Sequence, residues 1–184
     1  PSVLREIASE YWKQKITALP EKVISVAEVL EAEDKRFFEQ VFKQKIHQVY
    51  QCTEGFLAAT CEEGNLHFNE DFLIIEKRYL DKEKKHFHPI ITDLKRESQL
   101  VIRYELNDIL VEKEQPCACG SNMLAIEAII GRSDDILHFN NDQGEQISIF
   151  PDFFRRAIIS SSGTIEEYAL VQKTEEALFL YIQS

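Results

Sequence analysis

Three cysteines and one histidine are the side chains of this sequence best suited to hold a metal. Cys61 and His67 are separated by five residues that include Gly64, and Cys117-Ala118-Cys119-Gly120 follows far along the chain, after Pro116. Two thiolates one residue apart can face a single ion only where a tight turn redirects the backbone, and Gly120 permits such a turn. Together the four residues supply three sulfurs and an imidazole, the Cys₃His set of closed structural zinc sites. The competing reading is three small packed thiols and a surface histidine. Spacing alone leaves both open, because Cys-x-Cys says less than Cys-x-x-Cys.

A second group of residues offers hard oxygens and a guanidinium. Thr53-Glu54-Gly55 follows a short apolar run, Asp108 follows another, and "GRSDD" (131–135) carries Arg132 and Asp134. Each motif has an ordinary explanation. Thr53 suits a helix N-cap, Asp108 a turn, and "GRSDD" a charged linker. Cys52, beside Thr53, reads as a packed residue. His47 falls in an apolar run and His86 and His88 in a lysine-rich loop, and none is assigned a role.

These residues need elements to position them. Leu4, Ile7, Ala8 and Tyr11 fall at helical spacing, which predicts an amphipathic helix over 3–17 that Pro20 ends. "KVISVA" (22–27) reads as a buried strand, 32–44 as a helix with Phe37, Phe38, Val41 and Phe42 on one side, and "IHQVY" (46–50) as a strand. Strand, helix, strand is the unit of a parallel sheet. Beyond residue 64 the apolar runs 72–76, 99–105, 108–112 and 124–132 alternate with polar turns and read as β-rich. After a boundary near 131–135 come a hairpin about "NNDQG" (140–144), a short helix (152–159), and strands at 165–172 and 177–183 joined by "KTEEA" (173–177). The fold class is therefore mixed α/β, with residues 1–131 as one body and 132–184 as a second, too small to hold a core alone.

Composition narrows the partners. The 184 residues carry a net charge of −11, which disfavours nucleic acid, whose binding rests on clustered Lys and Arg, and an anionic membrane surface. The run 82–85 is short and acid-interrupted and reads as a solvated loop. No stretch approaches the ~20 apolar residues of a membrane span, and Glu6, Glu10 and Lys13 interrupt any signal-peptide profile. The expectation is a cytosolic protein, where spaced cysteines are more often metal ligands or catalytic groups than disulfides.

The order of four segments carries a resemblance: "VISVAEVL" (23–30), "QVYQCTEG" (48–55), "QLVIRYELNDIL" (99–110), and "IIGRSDDILHF" (129–139) leading to "ISIFPDFF" (147–154). Their sequence resembles the acyl-adenylate-forming enzymes, in particular the phenylacetate–CoA ligase-like branch. That branch runs through a Gly-Ala-Glu turn, aromatic-Gly-x-Thr-Glu, Arg-Tyr-Arg-Thr-Gly-Asp, Cys-Pro-Cys-Gly and Gly-Arg-x-Asp-Asp. The likeness spans about residues 22 to 160. It implies the end of the large adenylation domain with a β-rich subdomain (1–131), followed by the hinge and the start of the small α+β C-terminal domain (132–184).

The resemblance also implies roles. Tyr50 would lie against adenine, Thr53 would contact the α-phosphate, and Glu54 would serve Mg²⁺, which prefers hard oxygen ligands. Asp108 would accept the ribose hydroxyls, Arg132 would reach ribose or phosphate, and Asp134 would be the hinge of the small domain. The branch often pairs a cysteine and histidine after its Thr-Glu motif with its Cys-Pro-Cys-Gly, so Cys61, His67, Cys117 and Cys119 become the implied ligands of structural Zn²⁺. The implied reaction joins a small carboxylic acid to coenzyme A with ATP, through an acyl-adenylate; an amine or hydroxyl acceptor stays open, as does a homodimer.

The chain departs from the pattern at Gln51, at Glu105-Leu106-Asn107 and at His138-Phe139. No Gly-Ser-Thr-rich phosphate loop precedes these motifs, since "SSSGT" (160–164) follows the hinge, and the segment carrying the adenylation lysine is not reached. The expectation is the later part of a longer enzyme, inactive alone. The alternative is a non-catalytic zinc-stabilised interaction module derived from the same fold.

Overall fold

A computed structural model of the chain describes residues 1–83, 85–141, 143–162, 165, 167–174 and 177–183, with the side chains of Asp152 and Ile159 left out. It divides into two compact units, one of residues 1–106 and 110–129, the other of 107–109 and 130–184.

The first unit opens with helix α1 (Ser2–Trp12), strand β1 (Val23–Ser25), helix α2 (Ala32–Phe42) and strand β2 (Ile46–Cys52). β1 and β2 pair in parallel with Val23 opposite Ile46, the arrangement expected of strand–helix–strand. Both helices stop sooner than periodicity alone predicts, because Gln14 and Lys43 adopt left-handed backbone at φ 60° and 54°. A left-handed residue closes a helix by redirecting its last carbonyls. Ala8, Val23, Phe38, Val41, Phe42 and Ile46 form the core between these elements.

The chain then runs through β3 (Gly55–Thr60), β4 (Leu66–Phe68), β5 (Leu73–Tyr79), β6 (His86–Asp93), β7 (Tyr104–Glu105), β8 (Asp108–Glu112) and β9 (Ala125–Arg132). The resulting sheet orders β1-β2-β3-β4-β9-β8-β6-β5, with β7 also paired to β6. Tyr50, Leu57, Phe68, Phe87, Ile91, Leu110 and Ile126 are buried together as its main core.

Several expectations change here. Thr53 caps no helix: it opens a two-residue turn between antiparallel β2 and β3, where Cys52 faces Gly55. His86 and His88 lie in β6 rather than in a loop, and His88 is buried. Of 99–105, only Tyr104–Glu105 is strand. Arg103 turns left-handed at φ 46°, donates its N–H to Thr92 Oγ1 at 2.9 Å and pairs through two nitrogens with Glu76, which breaks the extended run.

In the second unit a single 3₁₀ turn (Ser133–Asp135) leads to the hairpin β10 (Leu137–Asn140) and β11 (Gln146–Ile149), helix α3 (Pro151–Ser161), and the antiparallel pair β12 (Glu167–Thr174) and β13 (Ala177–Gln183). Pro151 starts α3 where its missing N–H costs nothing. The turns expected at "NNDQG" and "KTEEA" and the segment "SSSGT" each include positions outside the described residues, as does the run 82–85. Among the described residues no helix is long and apolar enough to cross a membrane.

Candidate functional site

Two turns build the sulfur-rich cluster. After β3, the Gly64 N–H donates to Cys61 O at 2.9 Å and the Cys61 N–H to Asn65 O at 2.9 Å, with Gly64 left-handed at φ 78°. His67 sits at the centre of β4, opposite Ala59 on one side and Ala125 on the other. The second turn runs from Cys117 to Gly120, closed by the Gly120 N–H on Cys117 O at 3.1 Å, and Gly120 has φ 77°. Sheet register thereby brings together residues more than fifty positions apart.

The ligand-type atoms of Cys61, His67, Cys117 and Cys119 all lie within 4.8 Å of one another. Cys61 Sγ and Cys117 Sγ are 3.7 Å apart, and Cys119 Sγ is 3.5 Å from His67 Nε2. A tetrahedral zinc with its usual bond lengths separates two sulfurs by about 3.8 Å and a sulfur from a nitrogen by about 3.5 Å. Both measured edges match that figure. His67 Nδ1 bonds the Met123 carbonyl at 3.0 Å, which fixes the proton there and leaves Nε2 free to accept, the orientation seen in metal-bound histidines.

Donors also surround the sulfurs. Asn65 Nδ2 donates to Cys117 Sγ at 3.1 Å and the Ser121 N–H to Cys119 Sγ at 3.5 Å. The Cys119 N–H, followed by the His67 ring, brings the Cys117 thiol down to about 6. At Cys119 the Ser121 N–H favours the thiolate, but sharing a proton with Cys117, burial and the nearby Cys61 outweigh it and the thiol is held up. One thiolate is therefore prepared while its neighbour stays protonated, as expected of like charges sharing a site. From behind, Lys35 Nζ bonds Gly64 O at 3.1 Å and Lys45 Nζ bonds Glu62 O at 2.8 Å. The donor set and spacing fit a closed structural zinc.

Gly120 offers a direct check of this turn. No atom lies within 4 Å of where a Cβ would stand, so Gly120→Ala meets only the left-handed backbone penalty of about 1–2 kcal/mol. The expected result is a lower denaturation midpoint and faster loss of metal to a chelator. An unchanged midpoint with unchanged metal retention would mean the turn does not need its left-handed residue.

The oxygen-bearing residues divide between the two units. In the first, the Thr53-Glu54 turn is exposed at Thr53 and half-buried at Glu54. Glu54 is held below the usual carboxylate range by the Cys52 thiol, with the Tyr104 hydroxyl and the Arg96 charge adding to it. Burial, then the bond to Glu54, pushes Cys52 up to about 11, so it is a neutral donor rather than a nucleophile. Tyr50 is 7% exposed and packs edge-on to Phe68.

In the second unit, Asp108 and Arg132 come together with Oδ1 and Nε 3.8 Å apart; the Asp108 side chain is 17% exposed and that of Arg132 is 66% exposed. Asn107 Nδ2 donates to Asp134 Oδ2 at 2.9 Å, and Asn107 O accepts from the Ser133 N–H and hydroxyl at 2.8 and 3.0 Å. An open cleft of about 520 Å³ beside Asp134 is lined by Pro151, Phe154, Arg155 and Tyr168 among others.

Asn65, Met123, Arg96 and Tyr104 were not singled out from sequence. Tyr104 stands within a segment already read for Asp108, and the other three act through backbone or across long separations, where spacing carries no signal.

No protein-family model matches the sequence, and no curated protein matches it. Solved structures do match in fold. A 2-hydroxyisobutyryl-CoA ligase in a postadenylation state with an acyl-AMP is 21% identical with a TM-score of 0.75, covering 99% of this chain and 41% of the ligase. The A-PCP didomain of a carboxylic acid reductase from Segniliparus rugosus, in complex with AMP, is 13% identical with a TM-score of 0.62, over 99% of this chain and 29% of that one. A coronafacic acid ligase from Pectobacterium brasiliense is 13% identical with a TM-score of 0.58, over 100% and 38%. The chain thus spans about two fifths of the length of the ligase structures it matches, and its fold is that of a part of an adenylate-forming ligase.

Proposed function

We propose that these residues are the later part of an ATP-dependent acid–thiol ligase, which joins a carboxylate to ATP as an acyl-adenylate with release of pyrophosphate and passes the acyl group to coenzyme A. The observation that carries the reading is the fold shared along nearly the whole chain with a 2-hydroxyisobutyryl-CoA ligase and a coronafacic acid ligase. Of its oxygen-bearing residues, Thr53 and Glu54 sit on the β2–β3 turn and Asp108 opens β8. Glu54, ionised at neutral pH, would take one coordination position of a Mg²⁺ that otherwise keeps water and phosphate oxygens and offsets phosphate charge. Thr53 would meet the α-phosphate, Asp108 the ribose hydroxyls, and Arg132, the more exposed partner, ribose or phosphate; Tyr50, buried in the main core against Phe68, leaves adenine little of its ring.

Cys61, His67, Cys117 and Cys119 would hold a structural zinc. The pair of turns bearing these ligands supports placing the chain in the phenylacetate–CoA ligase-like branch. A closed four-ligand site keeps no open position for a substrate, so its part is to tie the β3–β4 turn to the loop before β9. Thr53 and Glu54 lie at the other end of β3, where that tie steadies them.

The test uses the whole protein that contains this chain. Given a panel of aliphatic and aromatic carboxylic acids, it should catalyse acid-dependent exchange of labelled pyrophosphate into ATP, then release AMP when coenzyme A is added. Absence of exchange with every acid would overturn the ligase reading and favour the zinc-stabilised interaction module. Asp134 provides a finer check. Asp134→Pro fixes φ and removes the carboxylate that Asn107 grips, and it should spare pyrophosphate exchange while slowing thioester formation. Equal loss of both half-reactions would show that Asp134 is not a selective hinge.

A further inference from the structure

The Thr53-Glu54 turn has no Asn, Asp or Gly at its two central positions. Two-residue hairpin turns usually rely on Asn, Asp or Gly at positive φ, yet neither Thr53 nor Glu54 is among the positive-φ residues of the chain. A bulge at Tyr50/Gln51 also disturbs the ladder just before it. The turn is gripped from outside instead. Arg96 donates through one guanidinium nitrogen to Glu54 O at 2.7 Å and through the other to Thr53 O at 3.2 Å, reaching across 42 residues of sequence.

Arg96 is itself anchored. Asp93 Oδ1 accepts the N–H groups of Lys95 and Arg96 at 2.8 and 3.0 Å, and the Asp93 N–H donates to Val101 O at 2.9 Å. The end of β6 is thus folded into a fixed turn that aims one planar fork at two consecutive carbonyls. A guanidinium can do this and an ammonium cannot, because only the former presents paired donors in a rigid plane.

We propose that Arg96 is the positioning residue of the nucleotide-binding turn: by holding both carbonyls of Thr53 and Glu54 it sets where their side chains meet the phosphates and Mg²⁺. The inference rests on the ligase reading for what those side chains do. The clamp itself rests only on the geometry of residues 52–55 and 93–96. The Arg96 charge additionally favours the ionised form of Glu54. Displacing reacting groups by about 1 Å costs on the order of 100-fold in rate, so a loosened turn should lower turnover more than affinity.

The experiment compares Arg96→Ala, Arg96→Lys and the control Arg5→Ala in the whole protein. Arg5 pairs with Asp34 between α1 and α2, away from this turn. For Arg96→Ala the expected result is a fall in kcat for pyrophosphate exchange on the order of tenfold or more, with KM for ATP changed far less. Arg96→Lys, which keeps the charge but loses the fork, should recover only part of kcat. Amide hydrogen exchange across residues 52–55 should quicken in both Arg96 variants and not in Arg5→Ala. Unchanged kcat and unchanged exchange at 52–55 would overturn the proposal, as would full recovery by lysine. Should Arg96→Ala fail to fold, Arg96→Lys alone decides between these outcomes. If the unmodified protein shows no pyrophosphate exchange, the ligase reading has failed, and the proposal with it; faster exchange at 52–55 would then leave only the clamp.

Discussion

Cys119→Ser removes one of the four proposed ligands and is expected to leave the protein without tightly bound zinc. Structural zinc contributes on the order of 10 kcal/mol or more of apparent binding free energy, all of it available to folding where the ligands gather only in the native state. The unaltered protein, purified without chelator, should carry about one equivalent of zinc with metal–sulfur distances of ~2.3 Å. The variant should lose it and become protease-sensitive at 61–67 and 117–124. Less than about 0.2 equivalents in the unaltered protein, with all four cysteines freely titratable, would exclude a site whose affinity follows from this donor set.

Acid should remove the metal as well, since zinc competes with protons for the thiolates and for His67. The metal-free protein adds a second pH effect. The Cys117 thiol is lowered to about 6 in the fold against an unfolded value near 8.5. A depressed acid group stabilises fully above its unfolded value and loses that contribution as pH falls through its folded value. The metal-free midpoint should therefore drop between about pH 8.5 and pH 6, and Cys117→Ser should flatten this dependence. A midpoint insensitive to pH across that window would show that the thiolate is not preferred in the fold.

If the ligase reading holds, Asp108→Ala should weaken ATP binding by the whole protein by on the order of tenfold to a hundredfold. Hydrogen bonds to a charged carboxylate are worth ~1.5–3 kcal/mol, and in the proposed site the ribose would offer two hydroxyls to its two oxygens. Removing the carboxylate also leaves Arg132 without the partner 3.8 Å away, so Arg132→Ala in the same background should add less than it does alone. Isothermal titration with a non-hydrolysable ATP analogue reads both effects. Unchanged affinity in Asp108→Ala would remove Asp108 from the site, and strict additivity would separate it from Arg132.

Much of the first unit could be read from periodicity. The apolar faces of α1 and α2 and the β1–α2–β2 unit follow from helical spacing and short apolar runs, because burial of one face imposes its period on the chain, and the apolar runs 72–76, 108–112 and 124–132 mark β5, β8 and β9. The early ends of both helices and the break at 99–105 share one cause. Gln14, Lys43 and Arg103 adopt left-handed backbone, and such positions in non-glycine residues answer to neighbours elsewhere in the fold. β3 was hidden because Thr53-Glu54 reads as a cap when its partner strand is unknown.

By itself the sequence determined the kinds of chemistry: soft sulfurs with an imidazole, a threonine–glutamate turn, and an aspartate and arginine flanking a boundary. It also placed glycines at 64 and 120, where local backbone must turn back on itself. Only the tertiary structure decided which of these residues meet. Pairing of β4 between β3 and β9 sets His67 opposite Ala59 and Ala125, and that register, fixed by which faces are buried in the sheet, draws Cys61 to within 3.7 Å of Cys117. The Arg96 clamp is likewise a product of packing. A guanidinium bonded to two backbone carbonyls leaves no trace in side-chain spacing, since every residue carries a carbonyl and only the folded chain selects which two are presented.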